Sequence, residues 1–249
     1  MSGHSKWAQI KRQKGVADAR RGQVFTKLTR EIMLAVRTGG PNPDSNYQLR
    51  LALQKAKDGN MPSENVERAI KRAVGGGEDS NLAEFMLEGY GSNGVAILIE
   101  ALSDNRNRTV QEVRSLLTRH GGSLGEAGCV SWLFDTRGVI TVDASHGEAD
   151  DVALRAIDAG AEDVRSDADY VEVHTEPARM EDVREAIEQE FTVTSAEISR
   201  IPRTTVPLDD AKSSQIMAFL EQLDQLDDVQ RVYSNADFAE SVLRGMEQA

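Results

Sequence analysis

VITVDASHGEADDVALRAIDAGAEDVRSDADYVEVHTEPARMEDVREAIEQEFTVTSAEIS, residues 139–199, is the stretch whose reading decides the fold. Val139–Val142 is apolar and β-branched, as a buried strand is, and Glu148–Ala159 carries the period of a helix. Asp163–Arg165 and Tyr170–His174 read as two strands on either side of the turn Ser166-Asp167-Ala168-Asp169. Met180–Glu190 is helical again, and Thr194–Ser199 is a last strand. The order β-α-β-β-α-β is that of the ferredoxin-like split unit, which closes its own sheet without help from the rest of the chain.

On the amino-terminal side, Glu84–Tyr90 and Val95–Leu102 are strand-like and joined by the hairpin signal Gly91-Ser92-Asn93-Gly94. Thr109–His120 is a helix with Val110, Val113, Leu116 and Leu117 inward, Gly121–Gly128 is a loop, and Val130, Trp132 and Phe134 alternate as a strand does. On the carboxyl-terminal side, helix Asp209–Leu223 and strand Val229–Tyr233 are too small to fold alone. They are expected to return to the middle segment, which makes the ferredoxin-like unit an insertion.

Before residue 78 the pattern is purely helical. Phe25, Leu28, Ile32, Ala35 and Val36 share one helix face, and Thr38-Gly39-Gly40-Pro41-Asn42-Pro43 ends that helix. Asn46–Lys57 is a second helix with Leu49, Ala52, Leu53 and Ala56 inward. Pro62 occupies the first turn of a third, lined by Val66, Ala69, Ile70 and Ala73 and ended by Gly75-Gly76-Gly77. The expected class is therefore α+β with three domains. These are a basic helical bundle over 1–77, a discontinuous α+β domain over 78–135 plus 205–240, and an inserted ferredoxin-like domain over 136–204.

Charge divides the chain at the same place. Up to Gly77 there are fifteen Lys and Arg against six Asp and Glu, a local charge of +9; the whole chain carries −12, so the remainder carries −21. A positive module on a negative body takes a polyanion by one face, since its other surfaces repel the same ligand. Lys6, Lys11, Arg12, Lys14, Arg20, Arg21, Lys27 and Arg30 fall within 25 residues with only Asp18 among them. Such a cluster matches backbone phosphates, each of which releases a condensed counterion when neutralised. Trp7, beside Lys6, either stacks on a base or packs its arm onto the bundle, two roles of equal standing. Arg68 and Arg72, four apart on one helix face with Lys71 adjoining, form a second patch. Arg106 and Arg108 form a weaker third, for which pairing with Asp104 and Glu112 is the plainer use.

Catalytic constellations are not legible. His4, His120, His146 and His174 are scattered without metal-ligand spacing among themselves or to Cys129, the lone cysteine. Cys129 reads as core packing, and the single thiol suits a reducing compartment. The glycine-rich Gly121–Gly128 lacks a lysine and a following helix, so it reads as a turned loop and not as a phosphate cradle. The acidic stretch Glu221–Asp228 reads as a solvated helix end. No apolar run reaches the ~18 residues of a membrane span. The basic start lacks the apolar core of a secretory signal. A mitochondrial transit peptide is the rival reading, opposed by the scarcity of serine and the direct passage into helical pattern.

The same residues carry a resemblance. Gly3-His4-Ser5-Lys6-Trp7, then Ile10-Lys11-Arg12-Gln13-Lys14 and Asp18-Ala19-Arg20-Arg21-Gly22, resemble the opening of the YebC family. Met61–Arg72, Asp104–Thr109 and Gly121–Phe134 resemble further motifs of that family. Its mitochondrial relatives are translational activators of cytochrome oxidase synthesis. The resemblance implies three domains, the third inserted in the second, and a cytoplasmic bacterial protein of a group long classed as probable DNA-binding transcriptional regulators. It also implies, for some members, a part in translation through consecutive prolines. Neither enzymatic activity nor a cofactor is implied.

The expectation is a non-enzymatic, cytoplasmic nucleic-acid-binding regulator without cofactor or metal. Its expected ligands are Lys6, Trp7, Lys11, Arg12, Lys14, Arg20, Arg21, Lys27, Arg30, Arg68, Lys71 and Arg72. DNA and ribosomal or transfer RNA on the ribosome are close rivals as the partner, with a protein partner for the acidic domains and no membrane. No helix carries an evident base-reading set of Arg or Asn, which favours contact through the backbone.

Overall fold

The computed structural model describes residues 18–75, 82–167 and 169–247; for 18–21 and 246–247 only the backbone is described. Helices α1 (Asp18–Gly39), α2 (Tyr47–Asp58) and α3 (Ser63–Val74) enclose a core of Leu28, Ile32, Val36, Leu49, Ala52, Ala69 and neighbours. Burying the apolar stripe of each helix against the others is what holds them together. The turn from α1 to α2 is held by Asn46, which is buried. Its Oδ1 accepts from Leu49 N at 3.1 Å, capping α2, while its Nδ2 donates to Ala35 O at 2.7 Å and Gly40 O at 2.8 Å. A Cβ on Gly39 would stand 2.7 Å from that side chain, so only glycine fits there. Pro62 lies one residue outside the helix it was expected to start: at φ −58° and ψ 137° it is the cap of α3. Its carbonyl accepts from Asn65 N and Val66 N.

Strands β1 (Ala83–Tyr90) and β2 (Ala96–Ser103) form the expected antiparallel hairpin, with Leu87 opposite Ile99. Helix α4 (Arg106–Arg119) begins three residues before the expected Thr109, because the Asn105 side chain accepts from Arg108 N at 3.1 Å and caps it there. The short β3 (Ser123–Leu124) then pairs with the edge of β1.

The expected strand over Val130, Trp132 and Phe134 is corrected. Residues 131–133 form a 3-10 turn, Trp132 is 63 % exposed, and the strand starts only at Phe134. The cause is Glu88, whose buried carboxylate accepts from Gly128 N at 2.7 Å and from Val130 N and Ser131 N at 2.8 Å each. Backbone donors gathered round a carboxylate cannot also form a ladder, so the segment wraps the acid instead of extending.

The described chain separates into two compact units, one of them Trp132–Thr205. That unit runs β4 (Phe134–Asp143), α5 (Ala149–Asp158), β5 (Asp163–Ser166), β6 (Tyr170–Thr175), α6 (Met180–Glu188) and β7 (Val193–Pro202). Its sheet order is β5-β6-β4-β7 with every neighbouring pair antiparallel, the split β-α-β arrangement. Ile140, Val142, Val171 and Val173 face Val152, Met180, Val183 and Ile187 of the two helices. The alternate residues Glu172 and His174 point to the other face, where His174 Nε2 lies 2.7 Å from Glu172 Oε1, both buried.

After this unit come β8 (Val206–Pro207), α7 (Asp210–Asp224), β9 (Val229–Ser234), β10 (Ala236–Asp237) and α8 (Glu240–Glu247). Strand β9 lies antiparallel beside β2, completing a sheet of order β3-β1-β2-β9. Helix α7 covers that sheet, packing Ile216, Phe219 and Leu223 on Ile97, Ile99 and Leu117. The carboxyl-terminal elements thus share a sheet with strands more than a hundred residues upstream; Asn235 Oδ1, for example, accepts from Ala96 N at 2.8 Å across a separation of 139. The mixed helix and sheet content is the expected α+β class.

Burial pushes the Glu88 carboxyl up, but the three backbone donors outweigh it and leave its pKa below the usual carboxylate range. Its contribution to stability is therefore present above the unfolded value of about 4.3 and is lost as pH falls through the lower folded value. Glu88→Gln keeps the shape but faces three donors with one acceptor oxygen. It should lower stability at pH 7 by about 1–3 kcal/mol and flatten the acid limb of a urea-denaturation series against pH.

Candidate nucleic-acid interface

The basic residues of the bundle divide into two groups. Lys6, Trp7, Lys11, Arg12 and Lys14 lie outside the described residues, and Arg20 and Arg21 fall in the first turn of α1 with side chains outside them. Arg68, Lys71 and Arg72 are exposed on one side of α3, as their spacing implied. Arg68 and Lys71 form no hydrogen bond or ion pair among the described residues, although Glu64 and Glu67 lie one turn back on the same helix. Both side chains are exposed.

Lys27 and Arg30, also expected as nucleic-acid ligands, make internal contacts instead of standing open. Both reach the carboxyl-terminal end of α7. The Lys27 ammonium donates to Asp224 O and stands 3.6 Å from Asp224 Oδ1. The Arg30 guanidinium donates to Asp227 O and, at 2.8 Å, to Asp228 Oδ1. Gln23 Nε2 adds a bond of 3.3 Å to Gln225 O. Cations here satisfy the orphan carbonyls of a helix end and its negative dipole, so these two side chains fasten α1 to α7.

Asp228 is the centre of this contact and is only 3 % exposed. Its Oδ2 accepts from Thr109 Oγ1 at 2.7 Å, Arg108 NH2 at 2.8 Å and Ser103 Oγ at 2.9 Å, while Oδ1 takes Arg30. Burial acts to raise the pKa of this carboxyl. The bonds from Thr109, Arg108 and Ser103 and the charge of Arg30 overcome that and lower it. Arg108 is correspondingly raised, first by Asp228 and then by Asp104, which it meets at 2.9 Å. The expected pairing of Arg108 with Asp104 is thus present, and the larger partner is one that the sequence reading placed in a solvated helix end. No spacing rule links residues 30, 108 and 228, which are separated by up to 198 positions.

Beside this hub, a cleft of about 410 Å³ opens between α1 and α3. It is lined by Phe25, Thr26, Thr29, Arg30 and Met33 of α1 and by Asn65, Arg68, Ala69 and Arg72 of α3, together with Leu82 and Asp104. Its lining is mainly polar and charged, with Phe25, Met33, Ala69 and Leu82 as the apolar members, and its volume lies in the range of small-ligand sites.

The remaining candidates are structural. The His120 ring stacks on Phe219 with centroids 4.8 Å apart, and its Nε2 meets Gln222 Oε1 at 3.2 Å. Burial raises the Cys129 thiol, with the charges of Glu88 and Glu126 adding to it. That is the opposite of a nucleophile's environment. Among the described residues no three His, Cys, Asp or Glu side chains converge as metal ligands, and no helix is long and apolar enough to cross a membrane.

Asp228→Ala takes an acceptor from the Ser103 and Thr109 hydroxyls and removes one partner each from Arg30 and Arg108, and should cost about 1–3 kcal/mol in chemical denaturation. Lys27→Ala should cost less, on the order of 1 kcal/mol, and should leave the salt dependence of nucleic-acid binding unchanged, because that ammonium is already committed to α7. A reduced salt slope for Lys27→Ala would return that residue to the interface.

The chain is similar to known proteins over nearly its whole length. The family described as "TACO1/YebC protein N-terminal domain" matches residues 5–76, and "TACO1/YebC second and third domain" matches residues 82–236. A "Probable transcriptional regulatory protein" of Dehalococcoides mccartyi is 55 % identical over 244 residues, covering 98 % of this chain and 97 % of the relative. One from Dictyoglomus thermophilum is 43 % identical over 248 residues, covering 99 % and 100 %. Among solved structures, a conserved hypothetical protein from Aquifex aeolicus, Aq1575, superimposes with a TM-score of 0.81 at 43 % identity, covering 90 % of this chain and 93 % of that one. With both of its parts matched by that family and its relatives aligned from end to end, the chain belongs to the TACO1/YebC family.

Proposed function

We propose that this protein is a non-enzymatic regulator of gene expression that acts in the cytoplasm by binding nucleic acid, with DNA as its first ligand. The observation that carries the reading is the exposed face of α3, where Arg68 and Lys71 have no partner among the described residues while Lys27 and Arg30, equally basic, are held at the end of α7. A chain of net charge −12 that keeps cations open on its positive module has a surface suited to phosphate. The relatives named as probable transcriptional regulatory proteins support a regulatory role. The contacts are to backbone: α3 presents cations in a patch, without the Arg and Asn placement that reads base edges in a major groove.

Filter binding over a salt series, with duplex promoter DNA and ribosomes side by side, tests this. If six phosphates are neutralised, log K should fall against log salt with a slope of about −5 on DNA. Replacing Arg68, Lys71 and Arg72 together by Ala should make that slope shallower by roughly 2–3. Replacing Lys11, Arg12 and Lys14 should do the same. A flat salt response overturns the proposal, and binding confined to ribosomes transfers it from DNA to RNA.

A further inference from the structure

The phosphate-facing patch of α3 borders the α1/α3 cleft, and Arg68 and Arg72 belong to both. Besides its arginines, the cleft offers neutral groups. Phe25 is half-buried and offers a ring wall, Met33 and Ala69 are buried and apolar, and Thr26, Thr29 and Asn65 supply neutral polar atoms. Two hydroxyls are already turned back on the helix, Thr26 Oγ1 to Gly22 O at 3.0 Å and Thr29 Oγ1 to Phe25 O at 2.7 Å, so they present their methyl groups and spare lone pairs. Asp104 also lines the cleft; its Oδ1 accepts from Arg108 at 2.9 Å, and its Oδ2 has no bond among the described residues.

A mainly polar cleft whose lining includes one aromatic ring, arginines and a carboxylate suits a flat heterocycle joined to a phosphate. A duplex cannot supply one, since its bases are stacked and paired; a single strand can. We propose that the α1/α3 cleft takes one unstacked nucleotide of a single-stranded nucleic acid, its base against Phe25 and its phosphate on Arg68. Asp104 Oδ2 accepts from an exocyclic amino group, so cytosine suits the slot better than uracil. The proposal rests on the nucleic-acid reading above and deepens it, by naming the strand form that this part of the surface engages.

The test uses the full chain and fluorescence anisotropy with four probes: a short oligocytidylate, the matching oligouridylate, an abasic strand of equal length, and a duplex. The wild type should bind oligocytidylate on the order of tenfold more tightly than the abasic strand, the loss expected when a stacked base is removed. It should also prefer oligocytidylate to oligouridylate, a preference that Asp104→Asn abolishes. Thr26→Trp, at an exposed helix position, fills the cleft; it should weaken oligocytidylate binding about tenfold and leave duplex binding as it was. The abasic comparison needs no variant and stands even if Thr26→Trp fails to fold. Equal affinity for abasic strand and oligocytidylate overturns the proposal while leaving phosphate binding intact. Failure of the wild type to bind any of the four overturns the nucleic-acid reading, and this one with it.

Discussion

One buried carboxylate in the larger of the two compact units ties together a strand and two helices. Asp228 stands between α7 and β9 and takes hydrogen bonds from β2, from α4 and from α1 at once. A charge removed from water to this degree is tolerable only when it is paired and its lone pairs are filled, and here two guanidiniums and two hydroxyls fill them. Its backbone carbonyl also accepts from Leu102 N at 2.8 Å, which anchors the acid to the same strand that its side chain grips. The helical bundle and the β3-β1-β2-β9 sheet have separate apolar cores, so this polar contact and the neighbouring Lys27 contact join α1 to α7.

That arrangement sorts the cations of the basic module by use. A residue's charge says nothing of whether it faces solvent or a helix end, and α1 and α3 carry similar charges to opposite effect. Lys27 and Arg30 meet the carbonyls at the end of α7, whose partial negative charge is augmented by Asp224 and Asp228. Arg68 and Lys71 meet no such end. The acidic stretch after α7 thus satisfies part of the bundle's positive charge internally, and the part left over defines a narrower surface than the charge tally over 1–77 suggests.

Departures from the expected elements have local causes. Helix α4 starts early because Asn105 is a better cap than anything nearer Thr109. Pro62 stands outside α3 because its extended ψ of 137° makes it the cap, with its carbonyl already accepting helical bonds. The missing strand at Val130–Trp132 is the more instructive case. Apolar alternation there predicts a ladder, and Glu88, 42 residues upstream of Val130, removes it by taking the donors. Periodicity measures which side chains seek burial; it does not register a carboxylate from another strand competing for the backbone.

The chain alone was enough for the α+β class, for the β-α-β-β-α-β order of residues 139–199, and for the return of the final strand to the first sheet. Those follow from local period, turn residues and the need of small elements to bury an apolar face, all of which act over a few residues. Charge density over the first third was equally plain, being a matter of counting. Which cations remain open, which acid is buried and where a cleft forms were decided only by the tertiary structure. Hydrogen-bond partners such as Arg30 and Asp228 are set by the approach of whole elements nearly two hundred residues apart, and no short-range rule of composition or spacing encodes that approach.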